Sequence, residues 1–149
     1  MGGFFGAVSQ RDVTLDTFFG VDYPPHPGTR RGGMITFDEK DGFQRQIHNI
    51  ENTPFRTKFE RDLADFHGCS GIGCISDTDP QPLLVRSHLG LYAISTVGII
   101  NNADELIQTY FSDHGHQFMA MSSGRVNATE LAAALINQKD DLVSGILHA

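Results

Sequence analysis

Apolar residues in the first two thirds of the chain come in short runs that are typical of β-strands. The predicted strands, in chain order, are residues 3–8, 34–37, 43–48, 72–75, 83–86 and 91–97. A polar turn at residues 39–42, ending in Gly42, joins the second and third strands as a hairpin. These runs predict a protein with substantial antiparallel sheet.

Helical spacing of apolar residues predicts further elements near the start and throughout the last third of the chain. A first helix is expected at residues 12–19, with Asp12 as the N-cap and Gly20 as the stop. A second begins near residue 102 and presents one apolar face, made of Leu106, Ile107, Tyr110 and Phe111.

Two more helices are predicted to close the chain. Asn127 followed by Glu130 is a variant of the capping box and predicts a helix running to about residue 138. Asp140 is the expected cap of a short last helix. Strands, a hairpin and segregated helices together favour an α+β fold.

Two connecting regions are less regular. Residues 23–28 contain three prolines, which cannot continue a helix or pair inside a sheet, and predict an extended loop. Between residues 51 and 68, apolar residues recur at helical spacing behind a proline. This stripe, made of Phe55, Phe59, Leu63 and Phe66, is interpreted as core packing rather than a ligand site.

Composition narrows the functional classes. A chain of 149 residues, 40% apolar and 19% charged, can bury one sizeable core as a single domain. Its net charge of -7 argues against nucleic acid as a partner, and no apolar run is long enough to span a membrane. A cytoplasmic location without membrane partners is the expectation.

The candidate metal and thiol groups are few. Cys69 and Cys74 fit neither a zinc site nor a disulfide scaffold and are expected to be reduced, partly buried thiols. The pair His114 and His116 lacks a third fixed ligand and is not expected to bind a metal ion. The acidic turn at residues 77–80 is expected to face solvent rather than to bind a cation. No metal and no cofactor are therefore predicted.

The first residues carry a resemblance to a known family. Residues 1–8 read MGGFFGAV and resemble the start of class II glutamine amidotransferases, Met-Cys-Gly-Ile-Phe-Gly followed by apolar strand residues. In that family the methionine is removed and the exposed cysteine attacks the side-chain amide of glutamine. In this chain the corresponding residue is Gly2.

Other segments resemble the amidophosphoribosyltransferase branch of the family, in the family's order. Residues 29–33, TRRGG, are similar to the His-Arg-Gly loop beside the active site, which implies substrate-binding roles for Arg31 and Gly32. Residues 70–73 look like the Gly-Ile-Gly lead into the next strand, and Gln81-Pro82 resembles the Gln-Pro that follows it. Residues 98–102 resemble the Asn-Gly-Asn-Leu-Thr-Asn segment before the next helix.

The resemblance implies an architecture and partners. The fold would be the four-layer αββα sandwich of N-terminal nucleophile hydrolases, of which residues 1–149 resemble the front part of a glutaminase-like domain. The remainder of the sandwich and a C-terminal phosphoribosyltransferase domain would lie beyond Ala149, and a homo-oligomer is a further expectation. The family's reaction begins purine synthesis with ammonia released from glutamine.

The same comparison assigns catalytic positions whose side chains have changed. The nucleophile falls on Gly2, the arginine that grips the glutamine carboxylate on Ser76, and the oxyanion-hole asparagine on Val97. Gly98, a backbone donor in the family, is kept, whereas the aspartate that binds the substrate's amino group falls on Ala128. The sequence therefore predicts a domain that keeps the fold without glutamine hydrolysis and acts structurally or in regulation.

Two alternatives stay open at this point. Cys74 or Cys69 could serve as a displaced nucleophile in a working amidotransferase. The altered pocket, lined by Gly2, Ser76, Val97 and Gly98, could instead bind another small metabolite or the end of a partner chain.

Overall fold

A computed structural model of the chain describes residues 2–23, 28–114 and 117–149. The strands are β1 (Gly3–Val8), β2 (Arg31–Asp38), β3 (Gly42–Asn49), β4 (Ser70–Ser76), β5 (Leu83–Ser87), β6 (Gly90–Ile94), β7 (Met121–Ser122) and β8 (Arg125–Val126). The helices are α1 (Thr14–Asp22), α2 (Phe55–Phe59), α3 (Ala103–His114), α4 (Ala128–Ile136) and α5 (Leu142–His148), with a short 3-10 helix at Leu63–Asp65.

Four strands form the main sheet, in the order β1, β4, β2, β3, with every neighbouring pair antiparallel. Strand β4 is central, and its residue Ile75 lies opposite Gly3 of β1 and Gly32 of β2. Because side chains alternate along each strand, this register fixes which residues share a face of the sheet. One face meets α1 and α2, and the other meets the β5–β6 hairpin.

The helix-covered face holds an aromatic core. Phe55 and Phe59 of α2 stack with ring centroids 4.2 Å apart, and Phe18 of α1 packs 5.9 Å from Phe55. Met34 from β2 and Ile75 from β4 complete the contact from the sheet side. The helical spacing within residues 51–68 is thus confirmed as core packing, since its three phenylalanines are all buried.

The opposite face is closed at one end and open at the other. Near the end of β4, the segment before β5 lies so close to β2 that a Cβ on Gly33 would collide with the carbonyl oxygen of Gln81. Toward the other end, a cleft of about 380 Å³ separates the sheet from β6, and Ile72 and Leu91 lie on its two sides. The space between the sheets is therefore filled only in part.

The C-terminal region packs α4 beside α3 and α5. Asn127 caps α4 as predicted, because its side-chain oxygen accepts the N–H of Thr129 at 2.9 Å. Glu130 does not complete a capping box. Its carboxylate instead accepts the N–H groups of Met119 and Ala120, which ties the preceding segment to the helix.

Most predicted elements are present, with corrections at their ends. The first helix continues past Gly20 to Asp22, because Gly20 lies under the ring of Phe5 and its backbone stays helical. Strand β6 ends at Ile94 rather than residue 97, and Asp141 rather than Asp140 caps the last helix through Ser144. The β7–β8 hairpin was not predicted, since two-residue strands leave no periodic pattern.

Two expectations fall partly outside the described residues. They are the extended loop at residues 23–28, of which 24–27 are not described, and the pair His114 and His116. Among the described helices, none has the length and apolar character that crossing a membrane requires.

Candidate functional site

Gly2 lies at the start of β1, directly beside the end of β4. A Cβ built on Gly2 would collide with the carbonyl oxygen of Ile75 and lie 3.2 Å from the Cα of Ser76. The backbone at this position is therefore packed against a neighbouring strand as only glycine can be. No nucleophilic side chain is present here, and the local packing leaves no space for one without movement of the backbone.

Residues 29–33, which include Arg30 and Arg31, lie next to the same end of β4. Arg31 is the register partner of Ser76, and the N–H of Arg30 donates to the Ser76 carbonyl oxygen at 3.1 Å. Arg31 and Ser76 share the sheet face that meets the β5–β6 hairpin. Gly32 points to the other face, where its Cα is covered by the ring of Phe55. Of the two candidate substrate-binding residues, only Arg31 lies on the same face of the sheet as Ser76.

The acidic turn at residues 77–80 connects Ser76 and Ala128, two of the positions that the resemblance assigns to the catalytic site. The hydroxyl of Ser76 donates to the carbonyl oxygen of Asp79. The carboxylate of Asp79 in turn accepts the N–H of Ala128 at 3.4 Å, at the N-terminus of α4. A carboxylate at this end of a helix is favourable because the exposed N–H groups carry partial positive charge. Asp79 thus bridges β4 and α4 and is not simply a solvent-facing loop residue.

Gln81 is the buried centre of this polar region. Its side-chain nitrogen donates to the carbonyl oxygen of Thr96 at 2.9 Å, and its side-chain oxygen accepts the N–H of Thr96 and the hydroxyl of Ser95. Thr96 also shares a hydrogen bond of 2.7 Å with the hydroxyl of Thr129 in α4. These contacts hold the segment after β6, and with it Val97 and Gly98, beside the start of α4.

Val97 and Gly98 themselves are exposed, and Val97 has 43% of its surface accessible. Asn127 also joins the start of α4 to the segment before β5, since its side-chain nitrogen donates to the carbonyl oxygen of Pro80 at 3.2 Å. The structure therefore brings Gly2, Ser76 and Ala128 into one connected region. In it, the polar groups already hydrogen-bond to other parts of the chain.

The two cysteines differ in environment. Cys74 is 1% exposed, and burial raises the pKa of its thiol to about 11, against weaker lowering by its hydrogen bonds with Ser95 and the Gly33 backbone. Cys69 is exposed but precedes the far end of β4, about 20 Å along the strand from Ser76. Both are free thiols, as expected, although they are not both partly buried.

Several residues of this region were not singled out from the sequence. Thr96 and Thr129 lie 33 positions apart, and Gln81 was noted only for its resemblance to a family dipeptide. The acidic residue Asp79 belongs to a turn whose sequence predicts only exposure to solvent. Polar residues in loops give no periodic signal, so only their tertiary placement could connect them.

Three cavities are lined by other residues. One is the cleft beside β6, a second of about 350 Å³ lies between β5 and α4, and a third of about 520 Å³ lies between α3 and α5. None of these three includes a residue assigned to the catalytic positions.

Comparisons with known proteins agree on one fold. No protein-family model matches the sequence. The chain is 27% identical over 154 aligned positions to the amidophosphoribosyltransferase of Methanocaldococcus jannaschii, covering 95% of this chain and 31% of that protein. The chain thus spans about a third of the length of this relative.

Two solved structures are similar over nearly the whole chain. The glutamine phosphoribosylpyrophosphate amidotransferase from B. subtilis, complexed with ADP and GMP, matches 98% of this chain with a TM-score of 0.78 and 24% identity. A structure described as the allosteric regulatory enzyme of purine biosynthesis matches 98% with a TM-score of 0.77 and 22% identity. The matches cover 31% and 32% of those chains.

These similarities confirm the resemblance seen in the sequence and its α+β fold. The shared feature is the fold, and in this chain β1 begins at Gly3, which pairs with Ile75 near the end of the central strand β4. The chain has the class II glutamine amidotransferase fold, of the N-terminal nucleophile hydrolase type, and is related to the N-terminal domain of amidophosphoribosyltransferases.

Proposed function

We propose that this chain is a glutaminase-like domain of an amidophosphoribosyltransferase-related protein that does not hydrolyse glutamine. Its role is structural or regulatory, through packing on a C-terminal phosphoribosyltransferase domain of the same protein in the context of purine synthesis. The observation that carries the proposal is the packing of Gly2 against the Ile75 carbonyl oxygen, at the position of the family's nucleophile.

Loss of the nucleophile should reduce the rate of glutamine hydrolysis more than loss of the oxyanion-hole or substrate-binding side chains. Removing an oxyanion-hole donor slows such enzymes by about 100- to 1,000-fold, whereas removing the nucleophile eliminates the covalent route. If Met1 is removed, Gly2 still offers a free α-amine, the group that acts as base in the family. That base has no thiol to activate.

The hydrogen bonds of Asp79 also support a domain that does not hydrolyse glutamine. Where the family presents an arginine and an aspartate to glutamine, this chain has Ser76 and Ala128, and both are hydrogen-bonded to Asp79. A charge-assisted clamp on a carboxylate is worth a few kcal/mol of binding, so its loss weakens glutamine recognition as well as chemistry. The region is better suited to holding β4 and α4 together than to binding an amino acid.

The direct test is to incubate the chain with glutamine and measure glutamate release. We expect none above the buffer rate, for the wild-type chain and for a Gly2→Cys variant, with an active amidophosphoribosyltransferase as the positive control. Circular dichroism and removal of Met1, checked by mass spectrometry, ensure that the variant is folded and has a free N-terminal cysteine. Glutamate release by the wild-type chain would contradict the proposal, and release by Gly2→Cys would show that the rest of the pocket is intact.

A displaced nucleophile is less well supported. Cys74 is buried and its raised pKa keeps it in the protonated thiol form near neutral pH, whereas Cys69 is distant from Ser76. Glutamate release that disappears in Cys74→Ala would favour this alternative.

A binding role for the altered pocket has its own test. A metabolite that binds the folded chain at 100 times its Kd should stabilise it by about 2.7 kcal/mol. Thermal-shift measurements across amino acids and nucleotides should therefore show no stabilisation if the domain acts structurally. A shift with one compound that Ser76→Ala abolishes would instead identify a ligand-binding module.

A further inference from the structure

Two carboxylates and an imidazole meet at the tip of the β2–β3 hairpin, away from the catalytic positions. Asp38 ends β2, Asp41 lies in the turn, and His67 arrives from the segment before β4. One ligand atom of each lies within 4.8 Å of the other two. In the described part of the chain, this is the one group of three such side chains at that spacing.

All three side chains have a hydrogen-bond partner within the cluster or its turn. One oxygen of Asp38 accepts the backbone N–H groups of Lys40 at 2.9 Å and Asp41 at 3.2 Å. The Nε2 atom of His67 lies 2.8 Å from a carboxylate oxygen of Asp41. The groups are thus held close together by the fold, and only modest separation of the His67 and Asp41 atoms is needed to admit an ion between them.

The local charge favours a cation. Two aspartate carboxylates and one imidazole share the cluster, so aspartates in their ordinary ionised form give it negative charge. A third carboxylate, that of Asp12, accepts the backbone N–H of Gly68 at 2.7 Å and therefore lies beside the residue that follows His67. The imidazole of His67 therefore lies among carboxylates, which attract a cation.

We propose that Asp38, Asp41 and His67 form a binding site for a divalent transition metal, with Zn²⁺ as the best fit. The imidazole decides the class of ion, because Mg²⁺ and Ca²⁺ prefer oxygen ligands alone whereas Zn²⁺ accepts nitrogen and carboxylate oxygen together. Three protein ligands leave a fourth position for water. The ion would cross-link the hairpin tip to the segment leading into the central strand.

The test is a titration of the chain with Zn²⁺ in competition with a chromophoric chelator. We expect one Zn²⁺ per chain, with affinity at least tenfold weaker in His67→Gln and in Asp41→Asn. Glutamine at position 67 can still donate a hydrogen bond to Asp41, so this variant removes the metal ligand while keeping the local contact. Mg²⁺ at the same concentration should not displace Zn²⁺.

Two control variants make the outcome decisive. His88→Gln removes an exposed imidazole whose Nε2 contacts a backbone carbonyl oxygen, and it should bind Zn²⁺ as the wild type does. Cys69→Ser removes the exposed thiol two residues from His67 and should also leave binding unchanged. Absence of binding, binding that persists in His67→Gln, or loss of binding in Cys69→Ser would each overturn the proposal.

Discussion

The two faces of the four-stranded sheet differ in the interactions that cover them. On the helix-covered face, phenylalanines from α1 and α2 pack on Met34 and Ile75 in a buried core. On the opposite face, the region near Ser76 is held by side-chain hydrogen bonds centred on Gln81, and the remainder opens into an apolar cleft. Packing on one face can preserve a fold while the residues that carry chemistry on the other face change.

The largest expected difference between the faces concerns the core. Phe59→Ala should lower the free energy of unfolding by about 3–5 kcal/mol, because Phe59 is fully buried and its removal leaves a cavity. Leu91→Ala in the cleft should cost about 1 kcal/mol, since Leu91 is 48% exposed. Urea unfolding of both variants measures the difference, and equal losses would show that the cleft is covered in solution.

The two cysteines test whether the opposite face is closed near Ser76. Because burial raises the pKa of Cys74 to about 11, it should have over 100-fold less thiolate at pH 8 than a thiol with the ordinary pKa of about 8.5. Iodoacetamide should therefore label Cys69 at least 100-fold faster, as followed by mass spectrometry of the two peptides. Labelling at similar rates would mean that this part of the face opens to solvent.

The pKa of Cys74 also predicts a dependence of stability on pH. The protonated thiol is favoured in the folded state, so this contribution is complete below about pH 8.5, the value for an unfolded cysteine. It should be lost as the pH rises toward 11. Cys74→Ser should remove that part of the alkaline decline in the unfolding free energy, whereas Cys69→Ser should not.

The hydrogen bonds of the Gln81 side chain should contribute less to the free energy of unfolding than the aromatic core does. Gln81→Ala leaves Thr96 and Ser95 without their buried partner, and should cost about 2 kcal/mol in urea unfolding. Gln46→Ala, at an exposed position of β3, should stay within about 0.5 kcal/mol of the wild type. A Gln81→Ala cost as small as that of Gln46→Ala would mean that the hydrogen bonds around Gln81 add little to stability.

The smallest effect is expected at Asp12, at the edge of the helix-covered face. Its carboxylate accepts the N–H groups of Thr14 and Gly68, so Asp12→Asn should cost about 0.5–1 kcal/mol at pH 7. Because the folded-state pKa is lowered, this contribution is complete above about pH 4 and is lost as the pH falls through the folded value. Urea unfolding of the wild type and of Asp12→Asn at several pH values below 7 measures this acid dependence.

Much of the fold could be predicted because it rests on periodic patterns. Strand β1 was predicted at its observed ends, and the buried phenylalanines of residues 51–68 were recognised from their spacing. Boundaries that depend on distant contacts were wrong, as at Gly20, where the Phe5 ring covers a helix that continues. The assignment of the catalytic positions, and the loss of glutamine hydrolysis that it implies, stay predictions.

The sequence by itself determined the alternation of strands and helices, the family resemblance and the absence of a side chain at Gly2, because each is a property of residue type and order. Only the tertiary structure decided that Gly2 packs on the Ile75 carbonyl oxygen and that Asp79 joins Ser76 to Ala128. It alone placed His67 beside Asp38 and Asp41. Such contacts join residues far apart in the chain, and no local pattern records them.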